Sequence, residues 1–453
     1  MLNPIFERFA QKSPLTVIAR GMMERVLNPE QLDQWFKDTA KEQYTKDLLF
    51  SSVFDLMSQV VCGSRPSLNA AYHASREQIG VSITSGYNKL NGIEATTSAE
   101  LVRYAAGEVS PVIEQLAGKG TSPLAGYRIK LLDGNCIEKS EHRIKELRFL
   151  AAGPLPGKSL VVYDPLLRVP VDVFPCEDGH AQERCLLKEV LSTVAPKDAW
   201  IGDRNFCIVE FTCGIASRGA LFIIREHKNY PWQPLEKEKC IGSCDTGTVY
   251  EQRIGVVDPA GEEYPFRQIR VKLKKETRDG EKEISIITNV SQRLAKGKTI
   301  AELYHGRWKI ETAFQELTKF LNSEITTLGY PRAALFGFCV ALVAYLILSV
   351  VKAAIESVHG KEALEKVSGY YIADEISATY RGMMIAIPDE NWSAFRYMTN
   401  PELLLVLKEL SAKVKLSAFR KHPRGPKKPA PKRISSKKHP HVSTAKILAA
   451  RKK

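Results

Sequence analysis

From Gly126 to Asp203, apolar and polar positions recur in short runs that predict strand, strand, strand, helix, strand. The strands are Tyr127–Asn135, Lys158–Tyr163 and Val169–Pro175; a helical pattern covers Glu183–Val194, and a last strand covers Ala199–Asp203. Three leading strands, read as antiparallel, followed by a helix and a further strand imply a mixed sheet covered by helices. A helix over Phe206–Ala216 and a strand over Leu221–Arg225 extend the pattern. Residues 228–290 alternate in short β-like runs, with turns at Asp258-Pro-Ala-Gly and Arg278-Asp-Gly, and are read as a β-rich insertion. Ahead of the sheet the period becomes helical, at Thr16–Val26, Pro29–Thr39, Lys46–Val60, Ser67–Gln78 and Ser98–Leu116.

Two later segments carry stronger patterns. Leu303, Ile310, Phe314, Leu317 and Leu321 form an apolar stripe on what reads as one amphipathic helix through Tyr304 and Glu311. At about 100° per residue, Tyr304, Arg307 and Glu311 fall close together on a face bordering that stripe. Residues 333–351 then hold no charge, between Arg332 and Lys352. That length would span a bilayer, but a helix buried behind the sheet explains it as well, and a buried helix with no membrane partner is the expectation.

Charge separates the C-terminal end from the rest. Residues 413–453 hold fifteen Lys or Arg and no Asp or Glu, leaving the first 412 residues with 50 basic against 51 acidic side chains. With Pro423, Pro426, Pro429, Pro431 and Pro440 among the basic residues, this tail reads as disordered and attractive to nucleic-acid phosphates. Ser67 to Lys89 has the look of a helix–turn–helix around Gly80, its second helix starting near Ser82, with Tyr87 and Lys89 as base-contacting guesses. Nine cysteines, with Cys240 and Cys244 the one close pair, read as reduced cytoplasmic thiols rather than a zinc site. No Gly-rich phosphate loop of the ATPase type occurs.

The candidate chemistry lies in three acids. Asp133 ends the apolar run of Arg128-Ile-Lys-Leu-Leu-Asp-Gly-Asn, and Asp203 ends Ala199-Trp-Ile-Gly-Asp. Either aspartate alone is equally a turn former or helix cap. Two strand-end acids together with Glu311, flanked by Arg307 and Tyr304, suit a site that handles a metal ion and a phosphate. Asp164, Asp172, Glu138 and Glu141 are rivals, Asp164 the strongest. Glu302 and Glu316 are expected to face solvent.

These residues resemble the DDE transposases of bacterial insertion sequences, in the family of the insertion sequence numbered four, with its Tyr-x2-Arg-x3-Glu-x6-Lys signature. The matching stretches are Leu-Leu-Asp133-Gly-Asn, Gly-Asp203-Arg204-Asn-Phe, then Tyr304, Arg307 and Glu311, and Thr327-Leu-Gly-Tyr-Pro-Arg-Ala-Ala-Leu-Phe. The signature lysine would fall at Thr318; a lysine follows one place later, at Lys319.

The resemblance covers roughly residues 125–350 and implies an α/β fold: a ribonuclease H-like mixed-sheet catalytic core with a β-rich insertion, an N-terminal helical domain and a basic C-terminal tail. The corresponding divisions are 1–120, helical and DNA-binding; 121–227, the first part of the core; 228–290, the insertion; 291–356, the second part of the core; 357–412, helical; and 413–453, the tail. The resemblance also implies that Asp133, Asp203 and Glu311 hold two Mg2+ ions, with Mn2+ able to replace them. Tyr304, Arg307, Lys319 and Arg204 would contact DNA. The expected partners are the element ends and target DNA, bound by a homodimer or larger assembly in the bacterial cytoplasm at the nucleoid. The same acids would serve a metal-dependent nuclease that does not join ends, and an inert DNA-binding descendant of a transposase would keep the overall pattern.

Overall fold

In the computed structural model, which describes residues 4–42, 47–77, 79–118, 120, 122–138, 140–277, 280–422 and 442–451, the β-like runs become twelve strands among the described residues. They are β1 (Arg128–Ile137), β2 (Pro154–Leu155), β3 (Gly157–Asp164), β4 (Val169–Cys176), β5 (Asp198–Gly202), β6 (Leu221–Arg225), β7 (Gln233–Pro234), β8 (Lys239–Ser243), β9 (Gly247–Val257), β10 (Glu263–Leu273), β11 (Glu283–Thr288) and β12 (Val442–Ser443). Ten of them form one sheet in the order β4-β3-β1-β5-β6-β11-β10-β9-β7, with β8 also paired to β9. β1, β3 and β4 are antiparallel neighbours, while β1, β5 and β6 run parallel. The sheet is therefore mixed, as the run of strands and helices implies.

Side-chain parity along the strands explains their near-continuous apolar sequences. Ile129 and Leu131 of β1 join one core and Leu132 the other; Ile201 and Trp200 of β5, and Ile223 and Phe222 of β6, divide in the same way. A strand buried on both faces shows no polar alternation. One face meets a large helical layer whose core runs without interruption from Phe6 to Val414, so the N-terminal helices share it with the sheet. The smaller core on the other face is closed by Leu187, Val190, Phe206 and Phe211.

At the centre of the large layer lies the helix Pro331–His359, which contains the uncharged stretch. Of its most apolar window, 94% is buried inside the protein. It packs against the helices Phe50–Val61, Ala95–Ala117 and Asn400–Ala412, and Phe336 meets Phe50 edge-on at 5.8 Å.

Some sequence expectations shift. The β-like runs of 228–290 continue the main sheet, because β11 pairs antiparallel with β6. The helical pattern at Glu183–Val194 divides into a 3-10 turn, Glu183–Leu186, and a short helix, Leu187–Ser192. Two short helices do occur at Leu68–Ala74 and Ile83–Gly92, the second capped by Ser82, which accepts from the Ser85 amide. Lys89, however, is buried with its ammonium 5.0 Å from the centre of the Phe36 ring, because its stem lies on the core-facing side of the helix. Thr84, Ser85 and Asn88 are the exposed positions instead.

The two ends of the basic tail are also ordered. Leu416–Phe419 forms a 3-10 turn, with Phe419 packed on the large core and Arg420 bridged to Val367. β12 pairs in parallel with β2 and leads into the helix Thr444–Arg451, where Lys446 lies 3.1 Å from Asp178. Apolar contacts and an acidic partner hold these ends despite their charge. The proline-rich part between them, 423–441, lies outside the described residues.

Phe336→Ala removes a fully buried ring from the central helix, and the resulting cavity should cost about 3–5 kcal/mol. A fall in the urea-unfolding midpoint of the purified protein measures it; an unchanged midpoint would contradict the central placement of this helix.

Candidate active site

Register brings the first two acids together. Leu131 pairs with Ile201 and Leu132 with Gly202, so Asp133 and Asp203 follow at the same level on adjacent parallel strands. Each is two positions beyond a residue of the large core, Leu131 or Ile201, which turns both carboxylates toward the helical layer. Asp133 does not end its strand. Antiparallel pairing with β3 carries β1 through Gly134 and Asn135 to Ile137, and only the parallel pairing with β5 stops, at Leu132, just before Asp133. Asp203 does open a turn: its carbonyl accepts the Phe206 amide at 3.0 Å. A Cβ at Gly202 would lie 2.9 Å from the Phe206 ring, so glycine lets this turn close over the strand end.

The third acid comes from the helical layer, by a route the periodicity missed. Tyr304 to Glu311 is not one regular helix: Gly297–His305 ends, and Trp308–Phe320 begins after a joint at Gly306 and Arg307. At the joint the ladder tightens to i→i−3 bonds, from Arg307 N to Tyr304 O and from Lys309 N to Gly306 O. Gly306 and Arg307 keep helical dihedrals, so apolar spacing alone cannot reveal the change of bonding. Tyr304 closes one helix, Glu311 lies in the first turn of the next, and Arg307 sits between them.

Arg307 is the hub. It donates from one terminal nitrogen to Asp133 at 2.8 Å and from the other to Glu311 at 2.7 Å. Tyr304 donates its hydroxyl to Asp203 at 3.4 Å. Burial is the main cause that pushes the Asp133 carboxyl up to about 6; the nearby Glu311 and Asp203 charges add to it, while Arg307 and the Gly134 amide oppose it. Burial pushes the Tyr304 phenol up to about 12, with the Asp203 charge adding to it. For Arg307 burial acts to lower its basicity, but the Asp133, Asp203 and Glu311 charges overcome it and hold the guanidinium firmly protonated. Arg307 Nε and Asn135 Nδ2 are buried here without a partner among the described residues.

The donor set fits a divalent cation: three carboxylates offer hard oxygens, and the buried Asp133 feels the Glu311 and Asp203 charges, a burden that a cation relieves. Among the described residues no three such side chains stand close enough to hold an ion as they are placed, and Arg307 is the cation that joins Asp133 to Glu311. Asp133, Asp203 and Glu311 are the residues that would hold one.

The remaining sequence candidates divide. Arg204, next to Asp203, is ion-paired with Glu281 at 3.0 Å. Lys319 lies exposed near the end of the Glu311 helix and makes no ion pair with the three acids. Asp164 accepts the Leu166 and Leu167 amides at 2.8 and 3.0 Å and shapes a turn. Asp172 pairs with Arg103, and Glu141 with Arg143. Glu302 is exposed as expected, but Glu316 is not solvent-facing. It accepts from Lys352 at 2.7 Å and Tyr345 at 3.0 Å, tying the Glu311 helix to the central helix packed beside it.

Arg225 escaped the sequence reading. It ends β6 next to β5, within electrostatic reach of Asp203 and Tyr304. Its signal was visible, since Leu221-Phe-Ile-Ile-Arg is an apolar run ending on a charge, the pattern that singled out both aspartates.

Asp133 supplies a pH test. Its carboxyl titrates at about 6 in the folded chain against a reference of 3.8, so the folded state binds the proton more tightly. Folding stability attributable to this group is therefore greatest below the reference value, and it declines as pH rises through that value to about 6. Asp133→Asn removes this dependence. Thermal melts should show the variant gaining on the wild type from pH 4 to pH 7.5; a constant difference would contradict a buried, burdened carboxylate.

Residues 156–347 match the family described as Transposase DDE domain. The span takes in Asp203, Tyr304, Arg307 and Glu311 and begins beyond Asp133. No curated protein matches the chain. Among solved structures the chain is similar to a piggyBac transposase in a synaptic complex with hairpin DNA, determined by cryo-electron microscopy, at 10% identity over 84% of each chain and a TM-score of 0.39. What the family match supports is a DDE transposase domain in this chain, reaching from β3 into the central helix.

Proposed function

We propose that the protein is a transposase that cleaves DNA at the ends of its insertion sequence and joins the 3′ ends to target DNA. One observation carries the reading: carboxylates from β1, from the turn after β5 and from the Trp308–Phe320 helix converge around Arg307, with Tyr304 beside them. The order β4-β3-β1-β5-β6, antiparallel on one side of β1 and parallel on the other, supports a ribonuclease H-like core. The Tyr304, Arg307 and Glu311 spacing supports the subgroup of the insertion sequence numbered four.

Phosphoryl transfer asks a protein for positioning and charge neutralisation more than for covalent chemistry. Divalent ions, Mg2+ or Mn2+, when bound by Asp133, Asp203 and Glu311, supply charge neutralisation at the scissile phosphate and activation of a water or 3′-hydroxyl. Arg307 contributes a planar fork that grips phosphate oxygens in pairs. Tyr304 keeps its proton at neutral pH, so it can donate to Asp203 or to a phosphate oxygen. Lys319 and the basic tail act as backbone contacts, with the N-terminal helices engaging the element ends and at least two protomers pairing them in the bacterial cytoplasm.

The test is cutting and joining of labelled DNA carrying the element ends, with Mg2+ or EDTA, by wild type, Asp133→Asn, Asp203→Asn and Glu311→Gln. Each variant should lose about a thousandfold or more in rate while still binding the ends. Cutting without a joined product would make the protein a nuclease. Persistent cutting by Glu311→Gln would remove that residue from the site, and end binding without cutting by the wild type would leave a DNA-binding protein.

A further inference from the structure

Two basic residues close to Asp203 are held by an internal acid. Arg225 ends β6 and Arg204 follows Asp203, and Glu281 takes both: one carboxylate oxygen accepts from Arg204 at 3.0 Å, the other from Arg225. Glu281 is itself seated by Thr277, whose hydroxyl accepts the Glu281 amide at 3.1 Å. The three charged residues share a cavity of about 540 Å³ with Asn205, His227 and Lys228. Two other acids on its wall are committed elsewhere: Glu226 to Trp232 and Gln268, Glu283 to Arg270.

A carboxylate accepting from two guanidiniums presents what a phosphodiester presents, two anionic oxygens for planar donors. The Arg204 side of the pairing is displaceable, while Arg225, with 16% of its side chain in solvent, is held more firmly. Glu281 and Arg204 keep 29% and 45% of their side-chain surface in solvent, and ion pairs so exposed contribute little stability. Glu281 lies in the turn before β11, so its carboxylate takes no part in the pairing of that strand with β6 and β10.

We propose that Glu281 is an internal competitor for a nucleic-acid phosphate: it holds Arg204 and Arg225 in the free protein and yields them when a DNA strand enters the cavity beside Asp203. This rests on the transposase reading and adds a regulator to it. Glu281 sets how strongly DNA must bind elsewhere before its backbone takes this place, which disfavours passing polyanions.

The test is fluorescence anisotropy of a short labelled duplex of arbitrary sequence with the full-length protein in EDTA, titrated over a series of salt concentrations. Glu281→Gln should bind about five- to thirtyfold tighter at low salt, from the release of both guanidiniums. Its salt slope should be no shallower than that of the wild type, because both complexes place the same two guanidiniums on phosphates. Glu281→Asp should resemble the wild type, and adding Arg225→Gln to Glu281→Gln should erase the gain. Equal or weaker binding by a folded Glu281→Gln overturns the proposal, as does absence of binding by both proteins. Should that variant fail to fold, hydrogen exchange of the wild type decides: residues 280–283 should exchange faster with DNA present, and unchanged or slower exchange overturns the competitor role. Because the assay holds no divalent ion, the two readings fail separately. Tight binding by Glu281→Gln in a protein that never cuts keeps the competitor and loses the transposase; cutting and joining with no gain from Glu281→Gln does the reverse.

Discussion

The site depends on Arg307 standing between Asp133 and Glu311. Carboxylates brought from three separate elements into partly buried space repel one another, and burial raises the cost of each charge. A guanidinium with two terminal nitrogens, each aimed at a different acid, lets two of those charges persist in the folded chain. Much of the surrounding architecture fixes that contact: the β1–β5 register sets the level of Asp133, the joint at Gly306 sets the entry of Arg307, and Glu316 anchors the Glu311 helix to the central helix.

The same logic recurs with opposite sign at the neighbouring cavity. There two guanidiniums are satisfied by the single carboxylate of Glu281. The protein thus supplies its own cation to two of its three acids and its own anion to these two arginines before any partner arrives.

Much of this was legible in the sequence, and for identifiable reasons. Leu221–Arg225 and Pro29–Thr39 were read with their observed limits because an apolar strand run and a Pro-initiated helix have unambiguous ends. The aspartates were found because a charge at the close of an apolar run is conspicuous. The joint at Gly306 was not, since its residues keep helical dihedrals and leave the apolar stripe in phase. Lys89 was misjudged because composition shows a lysine without showing which way its stem lies, and Glu316 because its partners, Lys352 and Tyr345, are distant in sequence. The fusion of the 228–290 strands with the main sheet rests on the β6–β11 pairing, a long-range backbone contact that no local pattern encodes.

The unbroken core from Phe6 to Val414 has a consequence for the order of events during synthesis. Asp133 and Asp203 leave the ribosome early, but the helical layer that presents Glu311 to them is closed by the central helix and by Leu403, Val406, Leu407 and Leu410 near the far end of that core. Contacts separated by hundreds of residues form late, because the chain between them must first exist. The acids are therefore assembled only when translation is nearly complete. A chain interrupted between Asp203 and this closing helix would carry the aspartates without the scaffold that gathers them.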